Sequence, residues 1–399
     1  MNCTKFITGG ITCPKGFEAA GVSCGMKSQG KDLMLITAQK PCAVAAVYTK
    51  NAVKGAPLTV TAQNILHGRA QAVVCNSGIA NCCVEGGVAA AKKICSLTAK
   101  ALHIPPEDVI VASTGEMGVP LPMDRVEAGI GEAAGACSRE GGHDAALAIL
   151  TDDPTPKELA VEFLVGDVPC YIGGVAKGSG LLRPNMATML CFLTSDVNIH
   201  PELLDRALKE AVEKSFHCMA LGGIPSPNDM VTILSSGMAG NGKITDLGDG
   251  YQAFCQALSA LCLELAKWMA KDSRPGGRLL TCQVHAARTE TDALLAAKAV
   301  TSCSRVVEAL SKGIPCWTDI VCAIGGSGAN VDGGAMDVSL SSPASEETVH
   351  LCSGCTSLFF DVQKAHDLLK ESEIILSVDC NDGFFDAVSY GCLDPVPEL

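Results

Sequence analysis

One threonine stands at the start of an apolar run, directly after a loop that contains glycine and proline. Residues 177–196 read KGSGLLRPNMATMLCFLTSD, in which Thr188 opens the apolar run. A hydroxyl is a weak nucleophile at neutral pH unless a base takes its proton. If the bond between Ala187 and Thr188 is cut, Thr188 gains an α-amine with an ordinary pKa of roughly 7.7–8.0, and so carries its own base. The segment therefore predicts a threonine nucleophile that is made by chain cleavage.

The run VIVASTGEMGVP at 109–120 offers a second chemical element. Acyl transfer needs hydrogen-bond donors for the oxygen that becomes negatively charged. This run is typical of a strand that ends in Ser113-Thr114-Gly115, and a hydroxyl and a backbone N–H at such an end can converge on one oxygen. Gly115 would permit close approach of the backbone. The pattern predicts Thr114 and Gly115 as an oxyanion hole.

Strand-like and helix-like runs alternate along the chain and position these residues. This alternation predicts an α/β protein. No fixed-period repeat or low-complexity linker is present, so the predicted division of the chain is the cleavage itself, into residues 1–187 and 188–399. The predicted strands are 33–38, 42–49, 58–62, 72–77, 109–114 and 374–378, and the predicted helices are 86–102, 200–216 and 291–312.

Composition excludes several classes of protein. With 399 residues, of which 48% are apolar and 18% charged, the chain can bury a large core. The net charge of -13 and the lack of a basic block argue against nucleic acid or an anionic membrane as partner. No apolar run approaches the roughly 18 residues of a membrane span, and the N-terminal residues lack the apolar region of a secretory signal. We expect a cytoplasmic protein.

The 22 cysteines follow no disulfide or metal pattern. Disulfide frameworks belong to short secreted chains. One C-x-x-C occurs, at 352–355, without a second pair at zinc-binding spacing. We expect most cysteines to be reduced and to act as small buried apolar side chains, and we expect no metal site.

The segment around Thr188 resembles the processing segment of the ornithine acetyltransferases, also called the ArgJ or bifunctional glutamate N-acetyltransferase family. That family has a lysine in K-G-[SA]-G, followed by P-[NS]-x-A-T-M-L. The resemblance covers nearly the whole chain and is stronger up to about residue 196. Further similar segments lie at 9–27, 46–57, 73–83, 109–126 and 148–158.

This resemblance implies a layered αββα fold of the DmpA and ArgJ type, self-cleavage before Thr188 and an α2β2 assembly of the two fragments. It implies that Thr188 takes an acetyl group from N2-acetylornithine and passes it to glutamate, in arginine biosynthesis, with no metal or organic cofactor. The matching residues are Thr188 as nucleophile, Thr114 and Gly115 as oxyanion hole, and Lys177 and Thr151 as substrate contacts.

The second half of the chain departs from the family pattern where the amino-acid substrate should bind. The family's D-G-E-G-A-T-K reads DSRPGGR at 272–278, so Arg274 replaces a glutamate that contacts the substrate amine. A guanidinium repels an amine and favours a carboxylate. The family's D-G-D-T-S-T-N-D reads GGIPSPND at 222–229, its D-P-N-W-G-R reads IPCWTD at 314–319, and its substrate-binding tail after the Tyr390 segment has no counterpart.

Three hypotheses follow from this mixture. The first is an ordinary glutamate N-acetyltransferase. The second is a self-processed acyltransferase or amidohydrolase of the same family, acting on a different N-acyl amino acid whose extra carboxylate binds Arg274. The third is a non-catalytic paralogue that serves as a structural or partner-binding subunit. Retention of Lys177, Thr188 and the Thr114–Gly115 pair argues against the third.

Overall fold

A computed structural model describes residues 4–178, 188–220 and 225–395. Most of the predicted processing loop, residues 179–187, lies outside the described residues. The chain divides into two compact units. Among the described residues, the first unit comprises 4–178, 188–214 and 225–265, and the second comprises 215–220 and 266–395.

The first unit alternates strands and helices, as the sequence predicts. A short βαβ unit, β8–α5–β9, joins two parallel strands near its middle. Its elements in chain order are β1 (Lys5–Ile7), β2 (Phe17–Val22), β3 (Leu33–Tyr48), α1 (Ala56–Asn64), β4 (Arg69–Ile79), α2 (Gly87–Leu102), β5 (Val109–Glu116), α3 (Met123–Ala136), α4 (Gly142–Ala148), β6 (Lys157–Val165), β7 (Val168–Lys177), β8 (Leu190–Ser195), α5 (Pro201–Glu213), β9 (Met230–Ser235) and α6 (Asp249–Lys271), which continues into the second unit.

The nine strands described in this unit form one sheet with the order β1-β6-β7-β8-β9-β3-β4-β5, and β2 also pairs with β3. The long strand β3 joins the two halves of the sheet. Its first part pairs with β2 and β4, and its last part pairs with β9. The register shifts between Thr37 and Cys42, and such irregularities bend a strand. The sheet therefore changes direction within β3.

Successive residues of β3 alternate between two buried cores, as the period of a strand requires. Leu33 and Leu35 pack with side chains of α1, α2 and α3. Met34 and Ile36 lie in the other core, which also contains buried residues of β7, β8 and β9. The two halves of the sheet therefore pack face to face. Behind β7, α6 lies so close to Gly174 that an added Cβ would meet leucine side chains of the helix. The order helix, sheet, sheet, helix confirms the expected αββα layers.

The prediction of a strand at 58–62 is wrong, because these residues lie in α1. Pro57 is accepted at the start of this helix, where its missing N–H costs little. Thr61 Oγ1 donates to the carbonyl oxygen of Val111 at 2.7 Å and accepts the Val111 N–H at 2.9 Å. The β-branched residues that suggested a strand thus pack as a helix against β5, and tertiary contacts override the local preference.

The other predicted elements are confirmed, with two adjustments. The strands predicted at 33–38 and 42–49 are parts of the single strand β3. The helix predicted at 291–312 is two helices that are separated at Cys303. The remaining predicted strands fall within β4, β5 and the late strand of the second unit, and the remaining helices coincide with α2 and α5.

The second unit is also mixed α/β. Its described strands form a six-stranded sheet with the order β13-β12-β11-β14-β10-β15. Side chains of its helices and strands pack together in one apolar core. Its elements are β10 (Arg278–Ala287), α7 (Glu290–Ser302), α8 (Ser304–Ser311), α9 (Trp317–Gly325), β11 (Asp337–Ser341), β12 (Thr348–Ser353), β13 (Thr356–Ser357), α10 (Val362–Leu368), β14 (Glu373–Asp379) and β15 (Phe385–Leu393). Over the described residues of both units, no helix is both long and apolar enough to cross a membrane.

Candidate active site

Thr188 lies two residues ahead of β8, and only 4% of its surface is exposed. β8 is an interior strand that pairs antiparallel with β7 and parallel with β9, and each of its residues is buried. The apolar run after Thr188 is therefore a buried interior strand.

The turn at 225–229 lies beside Thr188, because it leads into β9 and β9 runs parallel to β8. Thr188 Oγ1 lies 2.9 Å from Ser226 Oγ, at hydrogen-bond distance. Ser226 Oγ also accepts the backbone N–H of Asn228 at 3.2 Å. The sequence shows that Ser226 is retained from the family pattern, but gives no sign that its hydroxyl contacts Thr188.

Asp229 connects the turn at 225–229 to the residues just ahead of β8. Its carboxylate accepts the Met189 N–H at 2.8 Å through one oxygen and the Ser226 N–H at 3.0 Å through the other. Burial raises the pKa of the Asp229 carboxyl to about 6, although both N–H donors and the charge of Lys177 act in the opposite direction. The Asp229 carboxylate thus holds Met189, the residue after Thr188, at a fixed distance from the turn.

Asn228 joins the same turn to the predicted oxyanion hole. This fully buried side chain donates through Nδ2 to the carbonyl oxygens of Ser113 and Ala80, each at 2.7 Å. Ser113 directly precedes Thr114 on β5. One loop therefore supports both the end of β5 and the serine that contacts Thr188.

Thr114 and Gly115, the predicted oxyanion hole, lie next to each other on β5, beside β4. Thr114 is fully buried, and within the described part of the chain its hydroxyl has no hydrogen-bond partner. A buried hydroxyl left unpaired costs about 1–3 kcal/mol, which a ligand oxygen would recover. Gly115 has φ +130°, and a Cβ there would lie 2.2 Å from the carbonyl carbon of Gly78. Only glycine fits at this point, as the sequence predicts.

Thr114→Val is expected to separate stability from catalysis. Valine has nearly the shape of threonine, and the hydroxyl it removes has no partner in the described structure. The urea midpoint should therefore stay unchanged or rise slightly, while acyl transfer should fall by about 10²–10³-fold, the scale for loss of one oxyanion donor. Urea unfolding and steady-state rates measure the two effects. Unchanged acyl transfer would remove Thr114 from the site.

Lys177 ends β7 and is completely buried. Its Nζ donates to Thr151 Oγ1 at 2.7 Å and lies 3.4 Å from Asp153 Oδ2. In the register of β7 and β8, Lys177 stands opposite Leu190. The two predicted substrate contacts, Lys177 and Thr151, are therefore in direct contact with each other, near the start of the strand that follows Thr188.

Asp153 is a member of this cluster that sequence reasoning missed. Its side chain is buried between Lys177 and Lys157, with Asp153 Oδ1 at 3.4 Å from Lys157 Nζ and 2.8 Å from the Gly178 N–H. Burial alone would raise the pKa of the Asp153 carboxyl, but the charges of the two lysines outweigh it and hold that pKa below its ordinary value. The sequence feature that could have identified Asp153 is its position two residues after Thr151, a predicted substrate contact.

Arg274 lies in the second unit, between α6 and β10. Its guanidinium forms an ion pair with the carboxylate of Asp394. Arg278, the first residue of β10, donates to the backbone oxygens of Asp394, Leu369 and Ser311. Both arginines thus attach the segment after β15 to its own unit. A role for Arg274 in substrate binding stays a prediction.

The layered fold is that of a mixed α/β protein. A family model described as "ArgJ family" matches residues 18–394, and the chain belongs to that family. The arginine biosynthesis bifunctional protein ArgJ of Symbiobacterium thermophilum is 42% identical over 392 residues, covering 97% of this chain and 96% of that protein. The protein of the same name from Caldanaerobacter subterraneus is 40% identical over 389 residues, with 97% and 96% covered.

Solved structures of similar sequence are also known. The crystal structure of the ArgJ protein from Bacillus halodurans is 41% identical, covers 47% of this chain and 100% of its own, and superposes with a TM-score of 0.44. That of the ornithine acetyltransferase from Mycobacterium tuberculosis, complexed with ornithine, is 36% identical, covers 46% and 100%, and has a TM-score of 0.42.

Proposed function

We propose that this chain is a self-processed N-acyltransferase that moves an acetyl group from N2-acetylornithine to glutamate through Thr188. Its family and its relatives, named as arginine biosynthesis proteins, support this assignment. The observation that carries it is the buried Thr188 hydroxyl, which contacts Ser226, while Asn228 donates its N–H to Ser226 and its side-chain amide to the carbonyl oxygen of Ser113, the residue before Thr114.

The first reaction is the cleavage itself. The Thr188 hydroxyl attacks the carbonyl carbon of Ala187, the bond from that carbon to the Thr188 nitrogen breaks, and the hydroxyl proton ends on the nitrogen. Water then hydrolyses the ester, which leaves a carboxylate on Ala187 and restores the hydroxyl. The product has the nucleophile and a basic amine on one residue.

Acetyl transfer then uses the same hydroxyl twice. Thr188 Oγ1 attacks the acetyl carbon of acetylornithine, and ornithine leaves with the proton. The amine of glutamate next attacks the acyl-enzyme, and Thr188 recovers its proton. In both steps the acetyl oxygen becomes negatively charged, and the Thr114 hydroxyl with the Gly115 N–H would stabilise it.

Lys177 is the proposed contact for the substrate carboxylate. An ammonium has three N–H donors, and the contacts described above, to Thr151 and Asp153, use two of them. Acetylornithine and glutamate both carry an α-carboxylate, so one lysine can serve both. The Asp153 carboxylate pairs with Lys177 and holds its side chain in place.

In the alternative proposal the substrate is a different N-acyl amino acid, whose additional carboxylate binds Arg274. The ion pair with Asp394 gives the Arg274 guanidinium another role, within its own unit. This observation favours the ordinary donor and acceptor. Acetylornithine turnover at a few per second or faster would reject the alternative, whereas turnover with another N-acyl amino acid alone would support it.

The two fragments are expected to stay together after cleavage and to form an α2β2 assembly in the cytoplasm. β7 of the first fragment pairs along its length with β8 of the second, and β3 pairs with β9. Separation would expose buried strands on both sides. Native mass measurement tests the assembly: a mass of two copies of each fragment is expected, and separate fragments would contradict it.

The proposed function is tested by trapping the acyl-enzyme. Purified protein is mixed with N2-acetylornithine, quenched in acid and analysed as denatured fragments. We expect one acetyl group on the fragment that begins at Thr188, and its loss when glutamate is added before the quench. An acetyl group on the other fragment, or glutamate acetylated with no acyl-enzyme under single-turnover conditions, would overturn the assignment.

A further inference from the structure

We infer that Ser226 carries the proton between the hydroxyl and the nitrogen of Thr188, and that it does so in both self-cleavage and acyl transfer. This inference rests on the function proposed above. Ser226 Oγ lies 2.9 Å from Thr188 Oγ1, so it touches the reacting atom directly.

A relay is needed because one residue cannot pass this proton to itself efficiently. A direct O–H···N contact within Thr188 closes a five-membered ring, in which the donor angle is bent far below the roughly 150° that hydrogen bonds prefer. A second hydroxyl enlarges the ring and restores a nearly linear path. The Ser226 hydroxyl accepts the proton from Thr188 Oγ1 and gives its own proton to the Thr188 nitrogen.

The hydrogen-bond capacity of Ser226 fits this task. A serine hydroxyl has two acceptor lone pairs and one donor hydrogen. The Asn228 N–H, at 3.2 Å, occupies one lone pair. The second lone pair is available for the proton of Thr188, and the hydroxyl hydrogen is available for the nitrogen. The relay needs no further donor or acceptor on the Ser226 hydroxyl.

The backbone around Ser226 is fixed in advance. Pro225 and Pro227 flank the serine, and each proline ring restricts its own φ and the residue before it. Asp229 holds the Ser226 N–H at 3.0 Å, and Asn228 is anchored to two carbonyl oxygens outside the turn. The serine therefore keeps its position while the proton moves.

The two reactions require the same proton path. In cleavage the proton leaves Thr188 Oγ1 and ends on the Thr188 nitrogen. In acylation the same nitrogen, now a free amine, takes the proton from Thr188 Oγ1 and passes it to the leaving ornithine, and in deacylation it takes a proton from the attacking glutamate amine and returns it to Oγ1. A group that serves one reaction must serve the other, so the inference predicts parallel effects of one substitution on two unrelated assays.

The experiment compares Ser226→Ala, Ser226→Thr and the control Ser236→Ala. The Ser236 hydroxyl donates to the backbone oxygen of Lys15, and Ser236 lies just past the far end of β9. Cleavage is followed by denatured mass during expression, and acylation by single turnover with N2-acetylornithine. We expect Ser226→Ala to slow both by about 10²-fold, and Ser226→Thr, which keeps a hydroxyl, to restore both to within about tenfold.

The inference is overturned if Ser226→Ala slows neither reaction or only one of them, or if Ser226→Thr restores neither. Ser226→Cys, of similar volume but with a weak hydrogen-bonding group, is expected to slow both as alanine does, and guards against a folding defect of the alanine variant. Failure of the proposed function is distinguishable, because wild-type protein would then carry no acetyl group on the fragment that begins at Thr188.

Discussion

Thr188→Ala is expected to give a single uncut chain with acyl transfer lowered by about 10⁶-fold, the order seen when an attacking hydroxyl is removed. Alanine has no group to attack the Ala187 carbonyl, and without the cut it has no free amine. Thr188 lies two residues ahead of β8. Because the substitution removes only a small part of the side chain, the fold should survive it. Denatured mass and steady-state rates measure the two effects.

Thr188→Ser is the matched control for this variant. Serine keeps the hydroxyl and loses a methyl group, so the chain should still cut itself and retain activity, at a reduced rate. A Thr188→Ala protein that is cut at the same bond would exclude self-processing by Thr188. Equal loss of cleavage in the serine and alanine variants would show that the hydroxyl alone is not sufficient for cleavage.

Asp153→Asn is expected to reduce the free energy of unfolding by about 3–5 kcal/mol, the cost of removing one partner from a buried ion pair. The change leaves Lys177 and Lys157 buried without the carboxylate between them. Lys177 should also lose its fixed position, so acyl transfer should fall with stability. Urea unfolding checks the first effect. Asp152→Asn is the matched control, because Asp152 is the exposed neighbour in the chain and should change stability by less than about 0.5 kcal/mol.

The difference in stability between wild type and Asp153→Asn is expected to depend on pH. The lysines hold the pKa of Asp153 below its ordinary value of 3.8, so its ionisation stabilises the fold above pH 3.8. This contribution is lost as the pH falls through the lower pKa of the folded state. Wild type should therefore approach the stability of Asp153→Asn in acid below pH 3.8. A constant difference between the two from pH 7 down to pH 2 would contradict the ion-pair explanation.

The sequence predicts the elements that have strong local patterns. Alternating apolar residues identify β4 and β5, and helical spacing identifies α2 and α5. The miss at 58–62 has a tertiary cause: the hydroxyl of Thr61 binds the backbone of β5, a contact with a residue 50 positions away. The bend of β3 likewise depends on two different partner strands, which no local pattern encodes.

At the site, the residues with a distinctive local context were identified from sequence, and those that act through long-range hydrogen bonds were not. Lys177 ends β7, Thr188 lies two residues ahead of β8, and Thr114 lies two residues before the end of β5. Asp153 and Asp229 carry ordinary loop carboxylates, and only the folded chain places one between two buried lysines and the other between two backbone N–H groups. Their roles depend on burial and charge around them, which distant segments supply.

The mass of freshly purified protein under denaturing conditions tests the central claim most directly. The claim is that Thr188 becomes a nucleophile with its own amine by cutting the chain in front of it. Two fragments, residues 1–187 and 188–399, with an unmodified threonine at the start of the second, are the predicted result. A single species with the mass of all 399 residues would contradict it.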